Sequence, residues 1–308
     1  MDDLYTKIFL DSGNPADTKE VIERMGFLDG QTTNPSLVAR NPKLAAKFEN
    51  GEKLTEKELL GEYHEIITEI SEMIPEGSVS IEVYSDLTTT AQQMLDQARE
   101  MNTWIDNAHI KFPTTLEGLK AAEKAIKEGM RVNMTLVFSQ QQAAAVYSAT
   151  MGAGRGDVFV SPFVGRLDDI GVDGMDLITN IQKMYSSSDK HVELLAASIR
   201  DVEHLLYCLY TKQDIITVPT KVLLEWLDQD MPIPGIDLDQ DSMMSENEYL
   251  KQKQGSDLPY QDIALDKPWN EYDLEHELTT KGLVKFAEDW NNLLAKKLPI
   301  NLQGKSSS

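Results

Sequence analysis

The sequence has 308 residues, 41% of them hydrophobic and 26% charged, a composition typical of a globular protein with a sizeable core. Its formal net charge of −22 argues against broad binding to nucleic acid or to an anionic membrane, because both need clustered lysine and arginine. No window approaches 18 consecutive apolar residues, the acidic N-terminus does not resemble a signal peptide, and Cys208 is the one cysteine. A cytoplasmic location is therefore expected.

Strand-like and helix-like segments alternate along the chain. Eight short apolar runs predict strands at Lys7–Asp11, Leu28–Thr32, Val79–Tyr84, His109–Pro113, Val132–Phe138, Val158–Phe163, Glu193–Ile199 and Ile215–Pro219. Amphipathic segments between most of them predict helices, for example at Leu116–Gly129, where Gly129 is typical of a helix C-cap. Thr18–Phe27 and Thr89–Met101 show the same helical pattern.

This alternation predicts an α/β fold, a parallel (β/α)8 TIM barrel, over residues 1–228, which is close to the typical barrel length of about 250 residues. A doubly wound open sheet is the alternative, but no G-x-G-x-x-G motif follows any predicted strand. Residues 229–308 are predicted to form a C-terminal extension with an acidic connector, a terminal helix at Leu278–Leu298 and a disordered end, GKSSS. We favour packing of this helix on the barrel exterior over the alternative of a lid across the mouth.

Polar residues recur where the predicted strands end. In a (β/α)8 barrel these positions form the active site, because the eight following loops converge there. The residues in question are Asp11, Asn34, Glu82, Lys111, Asn133, Thr135, Ser161, Arg166, Ser198 and Arg200. Several have a purely structural interpretation that is equally good, such as an N-cap for Asn34 or an ion pair with Asp168 or Asp169 for Arg166.

Glu82 and Lys111 are harder to explain structurally, because each interrupts an apolar strand and a buried charge costs several kcal/mol unless it is paired. A structural Glu82–Lys111 ion pair is one interpretation. In the other, Lys111 is a nucleophile, since burial favours the neutral amine of a lysine and a neutral amine attacks a ketone to form an imine. The polar residues named above would then supply acid/base, amide and cationic groups, and the chemistry would need no metal and no cofactor.

Other chemistries find little support in the sequence. The five histidines show neither H-x-H nor H-E-x-x-H spacing, and the chain has no G-x-S-x-G motif and no P-loop. Cys208 lies in an apolar helical run, which favours an inert core thiol. His109 shares the strand parity of Lys111 and is predicted to be a buried, hydrogen-bonded histidine rather than a catalytic one.

Five segments resemble, in the same order, the signature segments of the transaldolases: TTNPSL, IKFPTTLEGLKAAEKAIKEG, VNMTLVFS, SPFVGRLDD and AASIRD. The resemblance covers about Phe9 to Trp226. It implies a (β/α)8 barrel with a class I Schiff-base mechanism on sugar-phosphate substrates. Lys111 corresponds to the imine-forming lysine, and Asp11 to the carboxylate that takes the proton from the C4 hydroxyl as the C3–C4 bond breaks.

The resemblance also implies roles for residues on the neighbouring strands. Glu82 and Thr135 match the pair that holds a water molecule for carbinolamine formation and dehydration. Asn34 and Asn133 would bind the hydroxyls of the dihydroxyacetone unit, with Ser161 at its C1 end. Three further residues would hold the phosphate: Arg166, Ser198 and Arg200.

Two positions distinguish this chain from a sister group, the fructose-6-phosphate aldolases, which share most of these segments. That group typically carries glutamine at the position of Glu82 and tyrosine at the position of Phe163, and its tyrosine helps to protonate the enamine so that dihydroxyacetone is released. Phe163 cannot supply this proton. The two residues therefore favour transfer over simple cleavage.

The sequence thus predicts a transaldolase of the pentose phosphate pathway. It would move a dihydroxyacetone unit from sedoheptulose 7-phosphate or fructose 6-phosphate to glyceraldehyde 3-phosphate or erythrose 4-phosphate. A lyase that releases dihydroxyacetone and a phosphosugar-binding barrel without turnover are the alternatives. Dimers are common among transaldolases, so a homodimer is an expectation that rests on the resemblance. The chain departs from the family pattern at His109, where an aliphatic residue is more usual.

Overall fold

The structure is a computed structural model that describes residues 4–234 and 256–295. Its centre is a parallel sheet in which each strand pairs with the next and β1 also pairs with β8, so that the sheet closes into a barrel. The strands are β1 Lys7–Asp11, β2 Gly30–Thr32, β3 Ser78–Glu82, β4 Ala108–Pro113, β5 Val132–Val137, β6 Val158–Pro162, β7 Val192–Ala196 and β8 Ile215–Pro219. The predicted (β/α)8 barrel is confirmed.

Helices surround the barrel and follow the strands in the order that parallel pairing requires. They are α1 Pro15–Met25, α2 Pro35–Ala39, α3 Pro42–Glu49, α4 Glu56–Met73, α5 Ala91–Met101, α6 Leu116–Lys127, α7 Gln140–Ala149, α8 Val164–Asp168, α9 Gly174–Tyr185, α10 Val202–Tyr210, α11 Thr220–Asp228 and α12 Glu277–Leu293. None of the helices among the described residues combines the length and the apolar character that a membrane span requires.

Half of the sixteen predicted strand ends agree with the structure to the residue, and the others differ by one to three residues; the largest difference is at the end of β7, which is Ala196 instead of Ile199. The largest difference at the start of a strand is in β2, which begins at Gly30 instead of Leu28. Asp29 is used otherwise, because its carboxylate accepts a hydrogen bond from the Ile8 amide at 2.8 Å and its carbonyl accepts one from the Ser78 amide at 3.1 Å. Gly30 allows the ring of Phe9 on β1 to pack directly against the backbone of β2, since a Cβ at Gly30 would lie 2.5 Å from Cζ of Phe9.

His109 fills the barrel interior on the same strand as Lys111. Its Nε2 donates to the Gly156 carbonyl at 2.8 Å, so Nδ1 accepts from the Ser78 hydroxyl at 2.7 Å, and the ring stacks on Phe159 with centroids 4.0 Å apart. Burial lowers the pKa of His109 to about 3, which keeps the ring neutral. Both nitrogens are satisfied, as the prediction of a structural histidine requires.

Cys208 is likewise a structural residue. It is fully buried in α10, and burial raises the pKa of its thiol. The protonated thiol is a poor nucleophile, so the prediction of an inert core cysteine agrees with the structure.

The C-terminal helix α12 packs against α2 and against β5. It begins one residue before the predicted Leu278 and ends at Leu293 instead of Leu298. The Thr279 hydroxyl anchors it to the barrel by donating to the Leu136 carbonyl at 2.9 Å. Most of the predicted acidic connector, at residues 235–255, and the terminal GKSSS lie outside the described residues.

Candidate active site

A cavity of about 280 Å³ opens at the carboxyl ends of the strands. Eight of the predicted site residues line it: Asp11, Asn34, Lys111, Ser161, Phe163, Arg166, Ser198 and Arg200. The other three, Glu82, Asn133 and Thr135, are buried on β3 and β5 beside the lining residues and do not reach the cavity surface. The barrel therefore brings together side chains from the first strand to the loop after the seventh.

Lys111 lies on β4 between Glu82 of β3 and Asn133 of β5 in the strand register. The residue is only 3% exposed, and its Nζ lies 3.1 Å from Oε2 of Glu82 and donates to the Thr33 carbonyl at 3.1 Å. The ion pair that one interpretation predicted is thus present. Lys111 also lines the cavity, where a purely structural ion pair would not need to place it.

The end of β4 is held in place by the first turn of α6. The Thr115 hydroxyl caps this helix by accepting from the Gly118 amide at 3.1 Å. A Cβ at Gly118 would lie 1.8 Å from the Pro113 carbonyl oxygen, so only glycine lets the helix approach the strand this closely. Pro113 is two residues after Lys111, and this packing therefore fixes the strand that carries the lysine.

Two carboxyl groups flank the lysine, and burial raises the pKa of both. The positive charge of Lys111 lowers the pKa of Asp11 and so partly offsets the effect of burial, as does a hydrogen bond from the Thr32 hydroxyl to Oδ1 at 2.7 Å. For Glu82 the main opposing influence is again the charge of Lys111. A carboxyl group with a raised pKa is suited to accept and return a proton near neutral pH.

Asn133 and Thr135 share one face of β5. Both ends of the Asn133 amide form hydrogen bonds, since Nδ2 donates to the Ser80 hydroxyl at 3.0 Å and Oδ1 accepts from the Ser161 hydroxyl at 2.6 Å. Asn133 therefore fixes the position of Ser161, which does line the cavity. The Thr135 hydroxyl is buried and has no hydrogen-bond partner among the described residues.

Asn34 is the N-cap of α2, as one interpretation predicted. Its Oδ1 accepts from the Leu37 amide at 2.9 Å, while the residue also lines the cavity. Capping uses the amide oxygen and leaves the amide nitrogen as the group that could donate to a ligand. The structural and the functional interpretations of Asn34 are therefore compatible.

Arg166 of α8 carries a positive charge into the cavity between two aromatic rings. The centre of its guanidinium group lies 5.0 Å from the Phe163 ring centroid and 5.2 Å from that of Phe286. It forms no ion pair with any residue in the described part of the chain. The predicted alternative of an ion pair with Asp168 or Asp169 is wrong, because Oδ2 of Asp168 lies 3.5 Å from Nε2 of His204 and Oδ2 of Asp169 lies 2.6 Å from Nη2 of Arg200.

Arg200 and Ser198 follow β7 and pack over the start of α8. Ser198 has a left-handed backbone (φ 61°), and its carbonyl accepts from the Gly165 amide at 2.9 Å. A Cβ at Gly165 would lie 2.2 Å from Nε of Arg200, so glycine is needed for the arginine to reach this place. Arg166 and Arg200 thus form a cationic end of the cavity, opposite in charge to the protein as a whole.

Several lining residues were missed from the sequence: Thr32, Ser36, Arg40, Thr217, Lys285 and Phe286. Arg40 ends α2 and forms no ion pair within the described ranges, whereas Lys285 of α12 lies 2.5 Å from Oδ1 of Asp289. The order of residues in α2 and α12 predicts which face each helix buries but not that these faces meet at the cavity. No group of three or more His, Cys, Asp or Glu side chains that could hold a metal ion occurs in residues 4–234 and 256–295.

Comparison with known proteins identifies the family. The sequence profile of the family described as Transaldolase/Fructose-6-phosphate aldolase matches residues 8–297. A probable transaldolase of Dehalococcoides mccartyi is 39% identical over 230 residues, which are 75% of this chain and 94% of that protein. A probable transaldolase of Thermoplasma volcanium is 39% identical over 217 residues, which are 70% and 86%.

Solved structures show a weaker similarity. A crystal structure of KGPDC from Streptococcus mutans has a TM-score of 0.43 and 12% sequence identity, and the match covers 75% of this chain and 100% of that one.

The family match extends over nearly the whole chain and includes every residue that lines the cavity. On these grounds, the chain belongs to the transaldolase/fructose-6-phosphate aldolase family.

Proposed function

We propose that this protein is a cytoplasmic transaldolase of the pentose phosphate pathway. It would transfer a dihydroxyacetone unit from sedoheptulose 7-phosphate or fructose 6-phosphate to glyceraldehyde 3-phosphate or erythrose 4-phosphate through a Schiff base on Lys111. The observation that carries the proposal is the buried amine of Lys111, which reaches the cavity between Asp11 and Glu82, two carboxyl groups of raised pKa. Membership in the family supports the same general activity.

The first half of the reaction forms the imine and breaks a carbon–carbon bond. Once it has given up its proton, the amine of Lys111 attacks the C2 carbonyl carbon of the ketose to give a carbinolamine, and loss of water gives a protonated imine. Glu82 and Thr135 would guide the water and its protons, a role that the unpartnered Thr135 hydroxyl supports. Asp11 takes the proton of the C4 hydroxyl as the C3–C4 bond breaks, so that C4 becomes the aldehyde carbon of an aldose phosphate that leaves the site. The electrons of the C3–C4 bond move into the protonated imine and give an enamine that stays bound to Lys111.

The second half reverses these steps on another aldose phosphate. The enamine carbon attacks the aldehyde carbon of the acceptor, and Asp11 returns its proton to the new hydroxyl. Hydrolysis of the imine then releases the new ketose phosphate and restores the amine of Lys111. No electrons are gained or lost in the cycle, so the chemistry needs no redox partner.

The two ends of the cavity match the two ends of such a substrate. Asn34 and Ser161, the latter held by Asn133, would bind the hydroxyls of the dihydroxyacetone unit. Arg166, Arg200 and Ser198 would bind the phosphate, and an arginine without an acidic partner is well suited to receive that charge.

Covalent trapping tests the mechanism. Borohydride reduction in the presence of fructose 6-phosphate is expected to attach the sugar to Lys111, which peptide mass spectrometry would locate. Lys111→Met is the control and should trap nothing. Label at another lysine, or full turnover by Lys111→Met, would contradict the proposal.

A second assay separates transfer from release. Fructose 6-phosphate is supplied with and without erythrose 4-phosphate, and the formation of glyceraldehyde 3-phosphate is followed. We expect rapid turnover only with the acceptor, because Phe163 has no hydroxyl to protonate the enamine. Equal rates under both conditions would indicate a lyase that releases dihydroxyacetone.

A further inference from the structure

The C-terminal helix α12 contacts Arg166, one of the two arginines proposed to hold phosphate. The ring centroid of Phe286 in this helix lies 5.2 Å from the centre of the guanidinium group. The ring of Phe163, which directly precedes α8, lies 5.0 Å from the same centre. One turn before Phe286, a Cβ at Gly282 would lie 2.6 Å from Nη1 of Arg166 and 2.6 Å from Cδ2 of Leu136. The glycine therefore gives the guanidinium the space that it occupies.

The position of α12 relative to the barrel is fixed by its own hydrogen bonds. The Thr279 hydroxyl donates to the Leu136 carbonyl at 2.9 Å and accepts from Nε2 of Gln142 at 2.8 Å. Thr279, Gly282 and Phe286 are spaced by three and four residues, so they lie on one face of the helix. That face is the one turned to the barrel, and a shift of the helix along its axis would break these contacts together.

Arg166 depends on these contacts because it lacks others. It has no hydrogen bond or ion pair with any residue that the structure describes, and its side chain is largely buried. Burial lowers the pKa of Arg166 from its ordinary value, but an arginine remains charged at neutral pH. Two aromatic faces and the space left by Gly282 therefore hold this charge at the cavity, where the more distant carboxylates of Glu82, Asp169 and Asp11 also attract it.

We propose that Gly282 and Phe286 are positioning residues that direct Arg166 towards the substrate phosphate, which makes α12 a determinant of the preference for phosphorylated sugars. The inference rests on the proposed function and deepens it. It gives the terminal helix the role of a fixed wall of the phosphate site, and neither residue takes part in the chemistry at Lys111.

The test compares ligands with and without phosphate in Phe286→Leu and Gly282→Ala. Phe286→Leu keeps an apolar side chain but removes the aromatic face, and Gly282→Ala displaces the guanidinium. For both variants, we expect the KM for fructose 6-phosphate and the inhibition constant of inorganic phosphate to rise about tenfold relative to the wild type, with a much smaller change in kcat. Phe286→Tyr retains the aromatic ring, so we expect its KM for fructose 6-phosphate and its inhibition constant for phosphate to equal those of the wild type.

Leu293→Ala serves as the control for general damage to the helix. Leu293 is buried on α12 but does not line the cavity, so its loss should lower stability without changing phosphate inhibition. Borohydride trapping of dihydroxyacetone on Lys111 measures the chemistry without any phosphate. We expect the ratio of phosphate affinity to dihydroxyacetone trapping to fall in Phe286→Leu and Gly282→Ala only.

Two outcomes would overturn the inference: unchanged phosphate inhibition in Phe286→Leu, or an equal loss of phosphate binding and dihydroxyacetone trapping in it. Failure of the proposed function would look different. In that case, the wild type itself would trap no sugar at Lys111, while inhibition or binding of inorganic phosphate could still be compared among the variants by calorimetry.

Discussion

Under the proposed function, Phe163 is the position at which we expect a single added hydroxyl to change the products. It lines the cavity and is 8% exposed, with its ring against the Arg166 guanidinium. We expect Phe163→Tyr to increase the acceptor-independent release of dihydroxyacetone from fructose 6-phosphate, because the phenol would bring a proton donor towards the enamine. The measurement is glyceraldehyde 3-phosphate formation without an acceptor.

Phe286→Tyr is the matched control for this change. It adds the same hydroxyl to the same cavity, but on the α12 side of Arg166. Acceptor-independent release should therefore stay at the wild-type level in Phe286→Tyr. A similar increase in both variants would mean that the position of the phenol is irrelevant, contrary to our interpretation.

Thr32 contributes to the pKa of Asp11, after burial, which raises it, and the charge of Lys111, which lowers it. Its hydroxyl donates to the Asp11 carboxylate at 2.7 Å and lowers the pKa of that group, while burial raises it. Asp11 must be ionised to accept a proton, so kcat/KM should fall as the pH falls through its pKa, at values above the ordinary 3.8 of an aspartate. Thr32→Val removes the hydrogen bond that lowers the pKa of Asp11, and we therefore expect the fall in kcat/KM to begin at a higher pH than in the wild type.

Thr18→Val provides the comparison for this pH profile. Thr18 is also buried, and its hydroxyl donates to Oε1 of Gln31 at 2.7 Å without touching a carboxyl group of the site. The kcat/KM of Thr18→Val should fall over the same acidic pH range as that of the wild type. If Thr32→Val moves this fall to lower pH, or not at all, Asp11 is not the group that titrates.

At the scale of elements, the junction of β4 and α6 supports the lysine. We expect Gly118→Ala to destabilise the protein by about 1–3 kcal/mol, because the added methyl group overlaps the Pro113 carbonyl and forces strand and helix apart. Denaturant unfolding measures this loss. The kcat should fall as well, since Lys111 is carried by the displaced strand.

The control for Gly118→Ala is a helical glycine with open space around it. Gly61 is exposed in α4, and a Cβ there would meet no atom within 4 Å. Gly61→Ala should stabilise the protein by about 0.5–1 kcal/mol through the better helix propensity of alanine. Equal stability of the two variants would show that the close approach at Pro113 is not a constraint.

At the scale of the whole molecule, charge is distributed unevenly. The net charge is −22, yet five lysine and arginine side chains line the cavity: Arg40, Lys111, Arg166, Arg200 and Lys285. An acidic protein can therefore bind a phosphate locally, because a few cations within one cleft dominate the field at short range while distant charges are screened by salt.

Trp290 of α12 packs against Tyr63 of α4. Its ring lies 5.9 Å from that of Tyr63, whose hydroxyl accepts from the Glu82 amide at 3.0 Å, so the helix packs on a residue that supports the site. We propose that residues 229–308 are a connector and a helix that pack on the 1–228 barrel and unfold with it. Trp290→Ala should then lower the stability of the whole chain by about 3–5 kcal/mol in a single transition.

Circular dichroism and catalytic activity, followed in the same denaturant series, report on this cooperativity. Trp269→Phe is the matched control, because Trp269 is only partly buried and precedes α12, and its effect should be small. Loss of activity well before loss of helical signal would mean that α12 separates from an intact barrel.

Sedimentation of the wild type in buffer without denaturant tests the expected homodimer.

The sequence by itself determined the barrel and the anomalous lysine. The strand boundaries of β1 and β8 were predicted to the residue, because apolar periodicity and Gly/Pro punctuation are local properties that folding does not alter. A charged residue inside an apolar strand is equally recognisable from the sequence, and this pattern identifies Lys111 as a candidate catalytic residue. Family resemblance then supplied roles for residues that pattern alone left ambiguous.

Only the tertiary structure decided which of these side chains meet and how they are held. The sequence did not show that Asn133 fixes Ser161, that Asp169 pairs with Arg200 instead of Arg166, or that Phe286 of α12 packs against the Arg166 guanidinium. These contacts join elements far apart in the chain, and the residue order along one helix or strand carries no information about the partner that folding brings to it.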